Sequence, residues 1–191
     1  MKNRLIVAMA VSLAIFLAAS GAVVHAESAV SLQDKCGQAL STLEIIQKDS
    51  KGSLKLKVKA RRYEFIAFVN AMMSYEPVTG IDGTKNAFKD ITPKHKAYNV
   101  IQTAAANHII EAYEDGTIRP ERNITYSDAL QIILKALGYG SEIKDLDVNS
   151  VIQKADELGL IKDVLLAPEK QLTRGEASII IYNALTVDFA K

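Results

Sequence analysis

The sequence predicts an all-α protein made of three helix–loop–helix repeats, and three observations carry that prediction. The same arrangement occurs three times along the chain: a helical segment, an Ile-Ile or Leu-Ile pair, a loop, and a second apolar helix. The second helices have apolar residues at helical spacing, as at Leu130, Ile133, Leu134 and Leu137. One such helix pair cannot bury its apolar face alone, so three pairs are expected to pack as one compact unit.

The N-terminal stretch, residues 1–26, is typical of a secretory signal peptide. "MKNR" supplies two positive charges, "LIVAMAVSLAIFLAA" is an uninterrupted apolar run, and "SGAVVHA" ends in small residues, which favours cleavage after Ala26. An uncleaved N-terminal anchor is the alternative. No second apolar run of spanning length follows, so we expect a soluble protein outside the cytoplasm with no membrane span after cleavage.

The three copies are aligned by their spacing. In "LEIIQKDSKGSLKLKVKARRYEFIAFVNAM" and "NHIIEAYEDGTIRPERNITYSDALQIILKAL", 15 residues separate the isoleucine pair from the second helix, and Gly52 and Gly116 occupy the same place in the loop. In the third copy 12 residues separate Ile161 from Thr173, so that loop is shorter and lacks the glycine. The expected bounds are 27–80 for repeat 1, 86–140 for repeat 2 and 141–191 for repeat 3.

Six helices follow from this alignment, two in each repeat. Capping boxes mark two of the second helices, because Thr125 precedes Asp128, and Thr173 precedes Glu176, by three residues. In the loop "YEDGTIRPE", Asp115-Gly116 supplies a turn with positive φ and Pro120 ends the extended stretch. The expected helices cover about 32–46, 96–109 and 148–160 for the first of each pair, and about 61–74, 125–138 and 173–186 for the second.

Composition excludes several classes of protein. Without Lys2 and Arg4 of the leader, 21 basic residues face 22 acidic ones, so the chain has no bulk attraction for nucleic acid or anionic lipid. Cys36 is the only cysteine and cannot form an internal disulfide. We expect a packed thiol there rather than an intermolecular bridge. Stability must therefore come from a hydrophobic core.

The sequence indicates no enzyme and no cofactor. His95 and His108 are 13 residues apart, which does not give a metal pair on one helical turn. Asp145 and Asp147 are interpreted as solvated charges or a helix cap. No nucleophile elbow and no glycine-rich phosphate loop is present in the sequence.

Arg174 has an unusual position for a cation. It lies in the first turn of an apolar helix, where the helix dipole makes a cation unfavourable by about 0.3–1 kcal/mol. Either Arg174 pairs on the surface with Glu176 or another acidic neighbour, or it binds an anion together with the amide donors of the helix N-terminus.

These repeats resemble the S-layer homology (SLH) module, a triple repeat that holds exported proteins on Gram-positive-type cell walls. "AFKDITPKHKAYNVIQTAAANHIIEAYEDGTIRPERNITYSDALQIILKALGYG" is similar to a nearly complete copy. "ADELGLIKDV" and "LTRGEASIIIYNAL" resemble the third copy, including its Thr-Arg-x-Glu tetrapeptide, and "RRYEF" marks an eroded first copy. The resemblance implies a pseudo-threefold helical bundle with grooves between the repeats.

In that family the grooves bind a secondary cell-wall polysaccharide whose terminal sugar carries a pyruvate ketal. The arginine of Thr-Arg-x-Glu is the family's principal charged contact. The resemblance therefore implies that Arg174, and Arg62 in the first copy, pair with the ligand's carboxylate. In the second copy the position is Tyr126, which can stack on a sugar but cannot form an ion pair.

Two further features of the loop are assigned through the same resemblance. Tyr113 is expected to contact sugar, and Asp115-Gly116 to shape the groove. The chain departs from the family's pattern because it contains no tryptophan, the best residue for stacking on sugars. Single-site or weak binding is therefore consistent with this sequence.

Two functions are compatible with the sequence. The first is a non-catalytic, secreted protein of the cell wall or cell surface that binds an acidic, pyruvylated wall polysaccharide. The second is a degenerate scaffold that docks another envelope protein or self-associates. Tyr126 and the missing tryptophan favour the scaffold, whereas the retained "LTRGE" favours the polysaccharide.

Overall fold

The computed structural model of the chain describes residues 31–78, 88–143 and 147–190. The predicted leader over 1–26 and Asp145 lie outside the described residues. Within the described ranges, none of the helices has the length and apolar character needed to cross a membrane.

Six α-helices form the described structure, two in each repeat, which confirms the all-α prediction. In these ranges the extended pairings are three isolated bridges, and a short 3₁₀ turn follows the fourth helix at Tyr139–Glu142. The helices are α1 (Leu32–Thr42), α2 (Arg62–Met72), α3 (Tyr98–Ala106), α4 (Tyr126–Ala136), α5 (Val148–Glu157) and α6 (Arg174–Ala184).

Helices pack between repeats rather than within them. The second helix of each repeat lies against the first helix of the next, so that α2 packs on α3 and α4 on α5, while α6 returns to pack on α1. The three second helices, α2, α4 and α6, also contact one another. The result is a closed threefold arrangement in which the third repeat completes the first.

Three residues form a hydrogen-bonded ring where the repeats meet. Ala60 N–H donates to the Leu172 carbonyl at 2.9 Å, Leu172 N–H to Ile124 at 3.0 Å, and Ile124 N–H to Ala60 at 3.0 Å. These residues stand one position before the N-cap in their repeats, and all three side chains are fully buried. Because each repeat donates to one neighbour and accepts from the other, the ring fixes the relative positions of all three.

The loop ahead of each second helix also caps the N-terminus of a second helix in another repeat. The first and second amides of each of these helices donate to carbonyls of the neighbouring repeat's loop, and the Thr125 and Thr173 hydroxyls accept from the third amide. The predicted capping box is complete at Thr173 and Glu176, whereas at Thr125 the carboxylate half, from Asp128 to the N-cap amide, is not formed. The expectation of free amide donors at these helix ends is therefore wrong. The first-amide bonds are Arg62 to Arg122, Tyr126 to Lys170 and Arg174 to Val58, each 2.8 Å long.

The helices end earlier than predicted, because five of the six are followed by a residue in the left-handed conformation. After four of these helices, the amides of the left-handed residue and of the residue that follows it both donate to carbonyls in the last turn of the helix. After α1, for example, Glu44 N–H donates to the Ser41 carbonyl and Ile45 N–H to the Leu40 carbonyl. The turn sends an apolar side chain such as Ile45 into the core. The five left-handed residues are Glu44, Ser74, His108, Gly138 and Gly159.

The core contains the predicted apolar faces of all three second helices, as Leu130, Ile133 and Ile180 illustrate. Cys36 belongs to this core with 2% of its surface exposed, so it is the packed thiol that the sequence indicated. Burial raises the pKa of this thiol to about 11 and keeps it protonated.

Candidate functional site

A groove of about 640 Å³ lies along repeat 2, and Arg62 of repeat 1 forms part of its wall. The rest of the wall comes from the loop ahead of α4 and one face of α4. Its size is within the range of small-ligand sites. The polar residues that matter for its chemistry are Arg62, Tyr113, Asp115, Arg119, Asp128 and Lys135.

Tyr113 lies among three arginines. The guanidinium carbons of Arg119, Arg62 and Arg122 are 4.3, 5.2 and 5.6 Å from the centre of its ring, distances at which cations are attracted to an aromatic face. Burial raises the pKa of the Tyr113 phenol, and the positive charge of Arg62 opposes this. The phenol is therefore neutral at physiological pH and can donate one hydrogen bond.

Arg62 is a buried cation without enough partners. Only 6% of the residue is exposed, and its Nε and Nη1 make no hydrogen bond to any described residue. Nη1 lies 3.4 Å from Oδ2 of Asp128, which is an ion-pair distance but not a hydrogen bond. Buried guanidinium donors in folded proteins are normally paired. A residue of the groove wall therefore has guanidinium donors whose hydrogen bonds are not satisfied by any described residue.

Sequence reasoning missed Arg119 and Arg122, two loop residues whose guanidinium groups lie near Tyr113. Arg122 Nη2 donates to Asp128 Oδ2 at 2.5 Å, while Arg122 Nε has no hydrogen-bond partner among the described residues. Arg119 pairs with Asp115 at 2.9 Å. The available signal was the pair of arginines in "DGTIRPERN", six and nine residues after Tyr113.

The Asp115-Gly116 turn has the predicted conformation. Asp115 accepts hydrogen bonds from the hydroxyl of Thr117 at 2.6 Å and from its amide at 3.0 Å, and also pairs with Arg119. The Thr117 hydroxyl bond, followed by the Arg119 bond, holds the pKa of Asp115 far below its usual range. Gly116 has φ +78°, which favours glycine, and its carbonyl accepts from Lys89 N–H at 2.9 Å.

Arg174 is also buried, but its donors are all used within the fold. Nη1 donates to Oε1 of Glu64 at 2.8 Å, Nε to the Leu54 carbonyl at 2.9 Å, and Nη2 to the Gln47 carbonyl at 3.3 Å. Its guanidinium also lies 5.1 Å from the Phe68 ring. The acidic partner thus comes from repeat 1 and is not Glu176. The ligand-binding role of Arg174 stays a prediction.

Tyr126 occupies the corresponding position between repeats 2 and 3. Its side chain is fully buried, and its hydroxyl donates to the Val164 carbonyl at 2.8 Å. Burial raises the pKa of this phenol to about 12. A sugar contact at Tyr126 stays a prediction, and the structure leaves the ring no exposed face for it. The structure therefore brings Arg62, Tyr113 and Asp115 together in one groove and places Arg174 and Tyr126 elsewhere.

The remaining candidates have structural partners. Nδ1 of His95 accepts from Ala97 N–H at 3.1 Å, and His108 is the left-handed residue that ends α3. Asp147 caps α5 by accepting from the Asn149 and Ser150 amides. Within the described ranges no group of three or more His, Cys, Asp or Glu side chains could hold a metal ion.

Comparison with known proteins gives one family match and three similar surface proteins. The family model described as "S-layer homology domain" matches residues 87–130, which include the groove loop and the start of α4. The "Middle cell wall protein" of Brevibacillus brevis is 26% identical over 155 residues, covering 81% of this chain and 15% of that protein. The "Cell surface protein" of Thermoanaerobacter kivui is 33% identical over 132 residues, covering 68% of this chain and 17% of that protein.

A third relative is the "Surface layer protein" of Brevibacillus choshinensis, 21% identical over 131 residues, which are 69% of this chain and 12% of that protein. The chain spans less than a fifth of the length of each of these relatives. The family match and the three surface proteins place the chain at the cell surface, as its sequence predicted. This chain is a secreted protein of the cell surface that contains an S-layer homology domain, matched over residues 87–130.

Proposed function

We propose that this protein binds an acidic secondary cell-wall polysaccharide, without catalysis, through the groove between repeats 1 and 2. The observation that carries the proposal is the guanidinium of Arg62, which is buried beside the groove with two nitrogens that lack hydrogen-bond partners among the described residues. An unpaired buried donor costs about 1–3 kcal/mol, and more when it is charged. A ligand that supplies the missing acceptor recovers that energy on binding.

A carboxylate suits this position better than a neutral acceptor. The planar guanidinium fork matches the two oxygens of a carboxylate, and the pair of charges strengthens the hydrogen bonds. Arg122 adds a second guanidinium near Asp128 and Tyr113, and its Nε also lacks a partner within the described ranges. A sugar that carries one carboxylate, such as a pyruvate ketal, combines this anion with a ring that could lie against Tyr113.

The proposal assigns separate roles to the groove residues. Arg62 binds the carboxylate, Tyr113 contacts the sugar ring, and the Asp115-Gly116 turn holds the loop that carries Tyr113. At the far end of the groove Lys135 pairs with Glu111 at 3.0 Å, where hydroxyl groups of the sugar could bind. Arg174 and Tyr126 are left out of this set, because their polar groups are already bonded within the protein.

The test is co-sedimentation with purified cell-wall sacculi, before and after chemical removal of the secondary polysaccharide. The protein should pellet only with intact walls, and Arg62→Ala should remain in the supernatant. Arg61→Ala is the matched control, because it removes an equal charge from the adjacent, exposed position. Equal pelleting with stripped walls would show that the polysaccharide is not the ligand.

A second function, docking of another envelope protein, is favoured by a different observation. Leu165 is 75% exposed in the loop of repeat 3, and Val58 in the loop of repeat 1 is 53% exposed. In this alternative the bundle is a scaffold and the groove arginines are structural. A light-scattering mass at several times that of the monomer, lowered by Leu165→Ser, would support it. A monomeric mass together with wall binding would contradict it.

A further inference from the structure

We infer that Asp128 is an internal counter-ion, which competes with the ligand's carboxylate for Arg62 and Arg122 and thereby limits the affinity of the groove. The inference rests on the proposed function, because it concerns the same groove. It assigns a specificity role to a residue that neither the repeat pattern nor the Thr-Arg-x-Glu tetrapeptide had singled out as part of the site.

One oxygen of Asp128 faces three of the donors that a ligand's carboxylate would meet. Its Oδ2 lies 2.5 Å from Arg122 Nη2, 3.4 Å from Arg62 Nη1 and 3.5 Å from the Tyr113 hydroxyl. The side chain is only 17% exposed, so solvent screens these contacts weakly. Asp128 therefore already occupies part of the anion-binding capacity of the cluster.

The other two repeats show what this position ordinarily does in the chain. Glu64 and Glu176 stand at the same place, three residues after the N-cap, and each accepts the N-cap amide, at 2.8 Å from Arg61 and 2.7 Å from Thr173. Among the described bonds, Asp128 makes no such contact with its own N-cap. Glu64 also pairs with an arginine, Arg174, at 2.8 Å, so Asp128 differs from it in lacking the N-cap bond. Aspartate is one methylene shorter than glutamate, and its Oδ2 faces Arg122 and Arg62.

Asp128 changes the charge that a ligand encounters in the groove. The cluster around Tyr113 contains three arginines, and two of its charges are offset by Asp115 and Asp128. A ligand's carboxylate that approaches Arg62 must lie close to the like charge of Asp128, in a groove that Glu114 also lines. Replacing Asp128 with a neutral residue makes the charge of the groove more positive by one and removes the repulsion from Asp128.

The experiment measures the dissociation constant of a methyl hexopyranoside that carries a cyclic pyruvate ketal, by calorimetry with the purified protein. Asp128→Asn keeps the shape of the side chain and should bind the ketal at least threefold more tightly than the unmodified protein. Glu157→Gln removes an equal charge from an exposed position on α5, outside the groove lining, and should leave the constant unchanged. For the same sugar with an uncharged ethylidene acetal, Asp128→Asn and the unmodified protein should have equal dissociation constants.

Asp128→Ser serves as a second neutral variant, and the thermal midpoint of each protein shows that it is folded. Tighter binding in both neutral variants supports the counter-ion role. Weaker or unchanged ketal binding in both neutral variants, together with loss of ketal binding in Arg62→Ala, would overturn the counter-ion role. Asp128 would then be a residue that positions the arginines. If the ketal does not bind to any of the proteins, including the unmodified one, the proposed function fails and the inference fails with it.

Discussion

Arg174 donates to Oε1 of Glu64 at 2.8 Å, whereas Arg62, at the same helix position of another repeat, makes no hydrogen bond through Nε or Nη1 to any described residue. The partner acids also differ, since Asp128 takes the place of Glu64 and lies 3.4 Å from Arg62. The chain therefore contains one saturated and one unsaturated copy of the same arginine. This asymmetry separates a residue that joins repeats from one that is available to a ligand.

Arg62→Ala should weaken binding of the pyruvate ketal at least tenfold, or about 1.5–3 kcal/mol for hydrogen bonds to a charged group. Arg62→Lys should give an intermediate constant, because lysine keeps the charge but lacks the planar fork. Calorimetric titration of the three proteins provides the comparison. Equal constants for the alanine variant and the unmodified protein would remove Arg62 from the site.

Arg174→Ala should lower the free energy of unfolding by about 3 kcal/mol, because breaking a buried ion pair leaves Glu64 without its partner. Urea denaturation measures the loss. Lys55→Ala is the control, since it breaks an exposed pair with Asp49 that contributes about 1 kcal/mol or less. If Arg174→Ala kept full stability but no longer bound the pyruvate ketal, Arg174 would be a ligand-binding residue instead.

Gly116→Ala and Gly52→Ala form a matched pair at equivalent loop positions. Both have positive φ, +78° and +74°, so each alanine should cost about 1–2 kcal/mol of stability. A Cβ at Gly116 would also lie 2.8 Å from Lys89 Cε, whereas one at Gly52 would have no neighbour within 4 Å. Only Gly116→Ala should weaken ketal binding, at least twofold, because its loop carries Tyr113. Equal effects of both alanines on binding would contradict this.

Tyr126→Phe should lower the free energy of unfolding by about 1 kcal/mol, because the Val164 carbonyl loses its donor while the ring stays packed. Thermal and urea unfolding provide the measurement. Tyr182→Phe is a suitable comparison, since Tyr182 is only partly buried and should change stability less. A gain in stability at Tyr126 would show that the hydrogen bond does not offset the burial of the hydroxyl.

Acid should destabilise the protein through Glu176. Burial tends to raise the pKa of this carboxyl, but the Thr173 amide and Lys170 bonds outweigh it and lower the pKa below the ordinary 4.5. The unfolded chain then binds protons more readily than the folded one, so this stabilisation is complete above pH 4.5 and is lost as the pH falls through the folded value. Urea melts from neutral pH to pH 3 should show a decline that is smaller in Glu176→Gln.

Local chemistry made much of the fold predictable from the sequence. Apolar spacing located all six helices, the threonine caps located two of their starts, and Asp115-Gly116 marked the turn that shapes the groove loop. All six helices end earlier than predicted, and at three of these ends the left-handed residue is not glycine, so its residue type gives no signal. Glu44, Ser74 and His108 adopt that conformation because an apolar residue just beyond each one packs into the core or against it.

The sequence by itself determined that the protein has three repeats, six helices and an arginine at the start of two second helices. Tertiary structure alone decided which of these arginines keeps guanidinium nitrogens without a hydrogen bond to any described residue. The partners of Arg174 are Gln47, Leu54 and Glu64, more than 100 residues away, and two of them contribute only a backbone carbonyl, which no residue type reveals. Spacing along the chain specifies the position of a residue on its helix. The hydrogen bonds of its side chain depend on the neighbouring repeat that packs against it.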